Sequence, residues 1–180
     1  MSRAPLSLKA RAIALLAQRD HSATELRRKL MRVVRKRDRD ADAEATAVRA
    51  QAGTDDEDAE SSSNKAAEEV DALLVWLQAQ GYLDEARFVE SRIHARAARH
   101  GNLRIKQELA QHGLVLDATQ AQALKDTEFE RAKLLWQRRF EGPPADAAAQ
   151  AKQMRFLAGR GFSADVVRRL FRHSGDPDGD

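Results

Sequence analysis

The most constraining feature of this sequence is a helix-ending glycine followed by a capping residue, which recurs between apolar helical stretches. Within residues 73–114, Gly81 can adopt the left-handed backbone conformation that ends a helix. Asp84 can then accept hydrogen bonds from the free backbone N–H groups of the next helix. Leu83 and Phe88 flank this cap with the spacing of a hydrophobic staple, so the sequence predicts a tight joint between two helices.

A second joint of the same kind follows in the same stretch. The helix that begins after Asp84 is predicted to run to about His100 and to end at Gly101. Asn102 is predicted to cap a third helix, which ends at Gly113. Residues 73–114 therefore contain three predicted helices and two short joints.

The joint at Asp84 has counterparts near both ends of the chain. The sequence LLAQRDHSATELRRKL surrounds Ser22, and FLAGRGFSADVVRRLF surrounds Ser163. Four residues after these three caps stand apolar side chains that we expect to be buried: Leu26, Phe88 and Val167. The caps are separated by 62 and 79 residues, so one helical hairpin recurs without the fixed period of a solenoid.

Two further capping patterns complete the predicted helices. Asp117 is expected to cap a helix that ends near Lys125. Thr127 and Glu130 have capping-box spacing and predict the start of a separate helix, which assigns Glu128 to helix initiation.

These patterns predict an all-α fold of about nine helices. We expect five segments: a basic N-terminal helical hairpin over 1–39, an acidic flexible insert over 40–64, a central helical repeat region over 65–126, a C-terminal three-helix repeat over 127–173 and a disordered tail over 174–180.

The charge of the chain is strongly segregated although its net value is only +3. Residues 1–39 contain twelve lysines and arginines and three acids, whereas residues 40–71 contain eleven acids and two bases. A basic segment beside an acidic one indicates either a nucleic-acid contact or mutual screening of the two segments.

Several basic side chains recur at helical spacing and are candidate contacts to nucleic acid or to an acidic partner. Arg92, Arg96 and Arg99 are expected to project from the helix face opposite Phe88, and Arg104 is expected to pair with Glu108. The alternative is that these residues form ordinary solvated helix faces. The complete candidate set is Arg28, Arg32, Arg35, Arg92, Arg96, Arg99, Arg104, Lys106, Arg168, Arg169 and Arg172.

The sequence contains no pattern that indicates an enzyme or a bound cofactor. It has no cysteine, and no glycine-rich phosphate loop precedes a lysine. The histidines lack metal-ligand spacing and stand at His21, His94, His100, His112 and His173. We also find no apolar run of membrane-spanning length and no signal-peptide pattern, and we therefore expect a cytoplasmic protein that is not an enzyme.

Four motifs in order give the sequence a resemblance to a known family. RDHSATELRRKL, GYLDEARFVESRI, RIKQELAQHG and FLAGRGFSADVVRRLF follow one another as in the bacterial regulatory protein family RecX. The resemblance implies tandem three-helix repeats in an elongated, curved chain. It also implies a protein that binds the RecA recombinase filament on DNA and suppresses its ATPase, strand-exchange and coprotease activities. The insert at 40–64 departs from the compact pattern of the family.

The resemblance implies a RecA filament and single-stranded or duplex DNA as partners, and we expect the protein to be a monomer. A helix-turn-helix transcriptional regulator is the main alternative, because a short-jointed hairpin with an arginine-bearing second helix could enter a major groove. A general helical adaptor is a third possibility. Co-sedimentation with RecA–single-stranded DNA filaments, compared with bare duplex DNA, distinguishes these functions.

Overall fold

The computed structural model describes residues 6–49 and 58–174 of the chain, and this part contains helices and no strands. The all-α prediction is therefore confirmed. The elements are α1 (Leu8–Leu16), α2 (Ala23–Arg49), α3 (Asp58–Ala79), α4 (Glu85–Ala97), α5 (Asn102–Ala110), α6 (Ala118–Arg139), α7 (Ala147–Gly159) and α8 (Ala164–Ser174).

The chain divides into two compact units, Met1–Phe88 and Val89–Asp180. In the first unit, α1, α2 and α3 enclose a core to which α2 contributes Leu26, Leu30 and Val34, at helical spacing. In the second unit, α6, α7 and α8 enclose another core, which includes Trp136, Leu157 and Leu170. Each unit thus buries the apolar stripes of three helices against one another.

The glycine stops predicted at Gly81 and Gly113 are present. The stop predicted at Gly101 is wrong, because α4 already ends at Ala97 and Gly101 has a φ of −78°. Gly81, Gly113 and Gly161 have φ angles of 70°, 75° and 84°. In each case the following N–H bonds to the carbonyl five residues earlier, at 2.9, 3.1 and 3.2 Å respectively, as in a Schellman motif.

The three aligned caps are also confirmed. Ser22 Oγ, Asp84 Oδ1 and Ser163 Oγ each accept a hydrogen bond from the backbone N–H three residues later. The apolar residues four positions after these caps, Leu26, Phe88 and Val167, are all buried.

Two predicted helix starts are wrong. Thr127 does not begin a helix, because its hydroxyl donates to the carbonyl of Ala123 at 2.9 Å and α6 continues without interruption. Asn102 does not cap α5, because Gly101 occupies the cap position and Asn102 is the first helical residue. Of the caps predicted at Asn102, Asp117 and Thr127, Asp117 is present as predicted, and it forms a capping box with Gln120. The described residues therefore contain eight helices.

The helices around the acidic segment are longer than the sequence predicts. α2 continues to Arg49 and α3 begins at Asp58, so both ends of the segment 40–64 are helical and residues 50–57 lie outside the described part. The alanine-rich composition of 41–49 is compatible with continued helix. Ser174 belongs to α8, and the remainder of the predicted tail lies outside the described residues. The elongated, curved overall shape stays a prediction.

Backbone contacts join the start of α5 to the turn before α8. The Gly101 N–H donates to the carbonyl of Arg160 at 3.0 Å, and the Leu103 N–H donates to the carbonyl of Gly161 at 3.0 Å. A Cβ atom on Gly101 would lie 2.2 Å from the Phe162 nitrogen and 2.3 Å from the Gly161 carbonyl carbon. The two turns can approach this closely only because Gly101 has no side chain.

We predict that Gly101→Ala lowers the free energy of unfolding by about 3 kcal/mol, because the overlap is with backbone atoms and no side-chain rotation relieves it. Urea unfolding followed by circular dichroism measures this change. Gly159→Ala is the control: it lies at the end of α7 with no atom near the added methyl group, and we expect it to be neutral or slightly stabilising. Equal destabilisation by both variants would contradict the close approach.

A buried carboxylate at the first joint makes the stability of the first unit depend on pH. Glu25 is only 6% exposed, and its carboxylate contacts Arg19, lies 3.2 Å from His21 Nδ1 and lies 3.5 Å from Lys29 Nζ. Burial alone would raise the pKa of Glu25. Hydrogen bonds and charge from Arg19 and His21 outweigh burial and lower this pKa from 4.5 to about 2.

The unfolded chain therefore binds a proton at this group before the folded chain does, and stability falls as the pH decreases from 4.5 towards 2. We predict that Glu25 accounts for a loss of roughly 3 kcal/mol over this range. Urea unfolding between pH 7 and pH 3 should show a shallower decline for Glu25→Gln than for the parent. Parallel pH profiles would contradict this assignment.

Candidate functional site

Three arginines on α2 form an exposed basic surface, which we call the α2 stripe: Arg28, Arg32 and Arg35. Their helical positions place them opposite the buried Leu26 and Leu30. Among the described residues, none of the three guanidinium groups forms an ion pair with a carboxylate. The α2 stripe is therefore a concentrated positive charge that points away from the core.

The acids of α3 neutralise other arginines of α2. Arg27 Nε lies 2.6 Å from Asp71 Oδ1, and Arg37 lies 3.4 Å from Glu69 Oε2. Mutual screening of the basic and acidic segments, one of the two possibilities suggested by the sequence, thus occurs at the sides of α2. The described acids leave the α2 stripe itself unpaired.

The predicted stripe on α4 is largely occupied by contacts within the protein. Arg92 Nη1 lies 3.1 Å from Glu108 Oε1, and both Nε and Nη2 of Arg96 donate to the same carboxylate. The expected orientation opposite Phe88 is wrong, because Arg92 follows Phe88 by four residues and lies on the same helix face. Arg99 is exposed.

Glu108 takes Arg92 and Arg96 as ion-pair partners instead of the expected Arg104. Burial alone would raise the pKa of Glu108, but the hydrogen bonds and charge of Arg96, together with the charge of Arg92, hold it below its usual value. An i,i+4 pair within α5 therefore gives way to a contact between α4 and α5.

The remaining candidate residues differ in whether their charged groups contact other groups within the protein. Arg168 forms an ion pair with Asp165 on α8, and the Arg169 guanidinium lies 4.3 Å from the centre of the Phe129 ring. The exposed residues of this group without an ion pair among the described residues are Arg99, Arg104, Lys106 and Arg172.

The sequence interpretation missed a polar centre on α6. Glu128 is buried, and its Oε1 accepts hydrogen bonds from the backbone N–H groups of Asn102 at 3.0 Å and Ser163 at 3.2 Å. Its Oε2 accepts a hydrogen bond from the Ser163 hydroxyl at 3.2 Å. The carboxylate therefore stabilises the N-terminal ends of α5 and α8 and has no role in helix initiation.

Arg131, three residues later, uses all five of its N–H donors within the protein. Nη1 donates to the carbonyls of Ala97 at 3.1 Å and His100 at 2.8 Å, which lie at the C-terminal end of α4. The other donors bond to Asn102 Oδ1, Leu124 O and Thr127 Oγ1. Burial lowers the pKa of Arg131, and the charge of Glu128 opposes this shift.

A periodic signal for this centre exists in the sequence if α6 is taken as one helix. Leu124, Glu128, Ala132 and Trp136 follow one another at four-residue intervals, and all four are buried. A carboxylate inside such a stripe must be satisfied by partners in the protein. The predicted helix start at Thr127 obscured this pattern.

Within the described residues, no group of three or more histidines and acids is arranged to hold a metal ion. The helices of the same part of the chain include none that is long and apolar enough to cross a bilayer.

We predict that Arg131→Gln destabilises the second unit by about 3 kcal/mol, because it removes several charge-assisted hydrogen bonds to buried acceptors. Arg138→Gln on the same helix is the matched control and should change stability little, since Arg138 is exposed. Thermal unfolding by calorimetry compares the two. A melting temperature of Arg131→Gln equal to that of the control would show that water replaces these bonds without cost.

The chain matches two family models over part of its length and several related proteins over most of it. The model described as RecX, second three-helix domain, matches residues 84–123, and the RecX third three-helix domain matches residues 126–171. Regulatory protein RecX of Ralstonia pickettii (strain 12J) is 43% identical over 173 residues, which cover 94% of this chain and 89% of that protein. Regulatory protein RecX of Herbaspirillum seropedicae is 40% identical over 179 residues, which cover 96% and 94% of the two chains. The chain therefore belongs to the RecX family of regulatory proteins.

Proposed function

We propose that this protein is a negative regulator of the RecA recombinase, which binds RecA filaments on DNA and inhibits their ATPase, strand-exchange and coprotease activities. The observation that carries this proposal is the similarity to regulatory proteins named RecX, which extends over 94% of the chain and includes both compact units. In this proposal the protein acts as a monomer, in the cytoplasm, by binding and not by catalysis.

The α2 stripe is the primary proposed contact with the filament. A guanidinium group presents its N–H donors in a fixed fork that matches phosphate and carboxylate oxygens, so arginine suits both DNA backbone and an acidic protein surface. Because Arg28, Arg32 and Arg35 lie opposite the core of the first unit, a partner can approach them without disturbing the fold.

The basic residues of the second unit have a secondary role in the proposal. Arg99, Arg104, Lys106 and Arg172 are exposed and can contribute further contacts. Arg92, Arg96, Arg168 and Arg169 already contact groups within the protein, so a partner would have to compete for their charge.

We predict that replacing Arg28, Arg32 and Arg35 together with glutamine weakens inhibition of DNA-dependent ATP hydrolysis by RecA and leaves the melting temperature unchanged. If the three groups contact single-stranded phosphates, the slope of log K against log salt for filament binding should fall by about 2. ATPase inhibition and co-sedimentation at several salt concentrations provide the measurements.

The matched control removes the same charge from the second unit through Lys125→Gln, Lys133→Gln and Lys152→Gln, at three exposed positions outside the candidate set. We expect this variant to inhibit as the parent does. Full inhibition by the α2 variant would show that the α2 stripe is a solvated helix face. Sequence-specific binding of the parent to duplex DNA, without binding to RecA filaments, would support the transcriptional-regulator alternative.

A further inference from the structure

An open groove separates α4 from α6 in the second unit. It encloses about 630 Å³, which is within the size range of functional binding clefts. Small side chains give it depth: Ala97 at the end of α4, Ala98 directly after it and Ala123 on α6 line its walls, with Ile93 and Leu134. The groove is therefore a predominantly apolar depression that remains open to solvent.

The second half of the apolar stripe of α4 is only partly covered in this arrangement, whereas Phe88 and Val89 at its start are buried. Helical periodicity places Ile93 and Ala97 on one face, and the sequence predicts that this face is buried. Both residues are only half-buried, and Leu134 on the opposite wall is 51% exposed. A contiguous apolar depression of this kind is typical of an interaction site, because exposure of apolar surface to water is unfavourable.

The charges around the groove favour an anionic occupant. Arg131 forms part of the wall, and its five donors bond to neutral oxygen atoms with no ion pair to a carboxylate among the described residues. Arg138 is exposed at the groove and is likewise without an ion pair within the described part. Glu90 is the single acid in the lining, so the cations outnumber it.

The dimensions of the groove suit a helix. The α4 wall extends from Glu90 to Ala97, about 10 Å at the helical rise, which is about two turns. An amphipathic helix inserts apolar side chains at i, i+3 or i+4, and i+7 into a groove of this length. Acidic residues beside that apolar stripe would then lie close to Arg131 and Arg138.

We propose that this groove receives an amphipathic helix with acidic residues beside its apolar stripe, supplied by a RecA subunit of the filament. This inference rests on the proposed function and adds the protein-contacting site to the charged α2 stripe. The groove and the α2 stripe lie in different compact units, so variants test them independently.

The absence of cysteine from the sequence permits a direct test of occupancy. Ala123→Cys introduces a single thiol in the groove, and Ala148→Cys introduces one at an exposed position of α7 outside it. Maleimide labelling of each variant is followed by mass spectrometry, alone, with single-stranded DNA and with saturating RecA–single-stranded DNA filaments. We expect filaments to slow labelling at Ala123→Cys at least tenfold and to leave labelling at Ala148→Cys unchanged.

Two surface variants test the chemistry of the occupant by co-sedimentation with filaments. Leu134→Gln removes apolar surface at an exposed position, and Arg138→Glu reverses a charge at the groove. Each should weaken filament binding at least fivefold. Lys133→Glu makes the same charge change on α6 outside the groove and should bind as the parent does.

The outcomes separate this inference from the proposed function. If the parent sediments with filaments but Ala123→Cys is labelled at an undiminished rate, the groove is not the contact and the proposed function stands. Protection by single-stranded DNA alone would identify a nucleic-acid occupant and overturn the proposal. A parent that fails to sediment with filaments would overturn both the proposed function and this inference.

Discussion

The organisation of the second unit depends on one turn of α6, where Glu128 and Arg131 meet the ends of three other helices. A helix begins with backbone N–H groups and ends with carbonyl groups that have no partner within the helix. Glu128 accepts from the first residue of α5 and from Ser163, the cap of α8, and Arg131 donates to carbonyls at the end of α4. Without these two side chains, the helix ends would be buried with unsatisfied polar groups.

This polar centre also explains why two turns can approach so closely. The Gly101 N–H bonds to the carbonyl of Arg160, while the next residue, Asn102, bonds through its N–H to Glu128. Backbone and side chain therefore hold the start of α5 against the start of α8 in one position. The close contact depends on a glycine on one side and a carboxylate on the other.

The sequence predicts the joints well because their determinants are local. A cap and an apolar residue four positions later lie close together in the chain, and all three aligned examples are confirmed. A glycine with positive φ precedes two of them, at Asp84 and Ser163. Thr127 and Glu130 have capping-box spacing, which is also a local pattern, and yet both lie within α6. The difference is tertiary: Glu128 is held by groups more than twenty residues away, and no local pattern reveals that contact.

The same limit applies to the basic residues. A search for acids at four-residue spacing finds none that neutralises Arg96, although Glu108 on the next helix pairs with it. Conversely, the described acids of α3 pair with arginines at the sides of α2, Arg27 and Arg37. Sequence therefore identifies where basic residues are concentrated. Only the folded chain shows that Arg92 and Arg96 are paired, while Arg28, Arg32 and Arg35 have no ion pair within the described part.

The continuity of α6 has a consequence for how the repeats of this family are understood. The second and third three-helix domains match residues 84–123 and 126–171, so their boundary falls inside a single uninterrupted helix. A fragment that began at residue 126 would carry Glu128 and Arg131 without the ends of α4 and α5 that they satisfy. The three-helix domain is accordingly a unit of descent and of sequence comparison. A fragment that is to be expressed alone or transferred to another protein must contain both the second and the third three-helix domains.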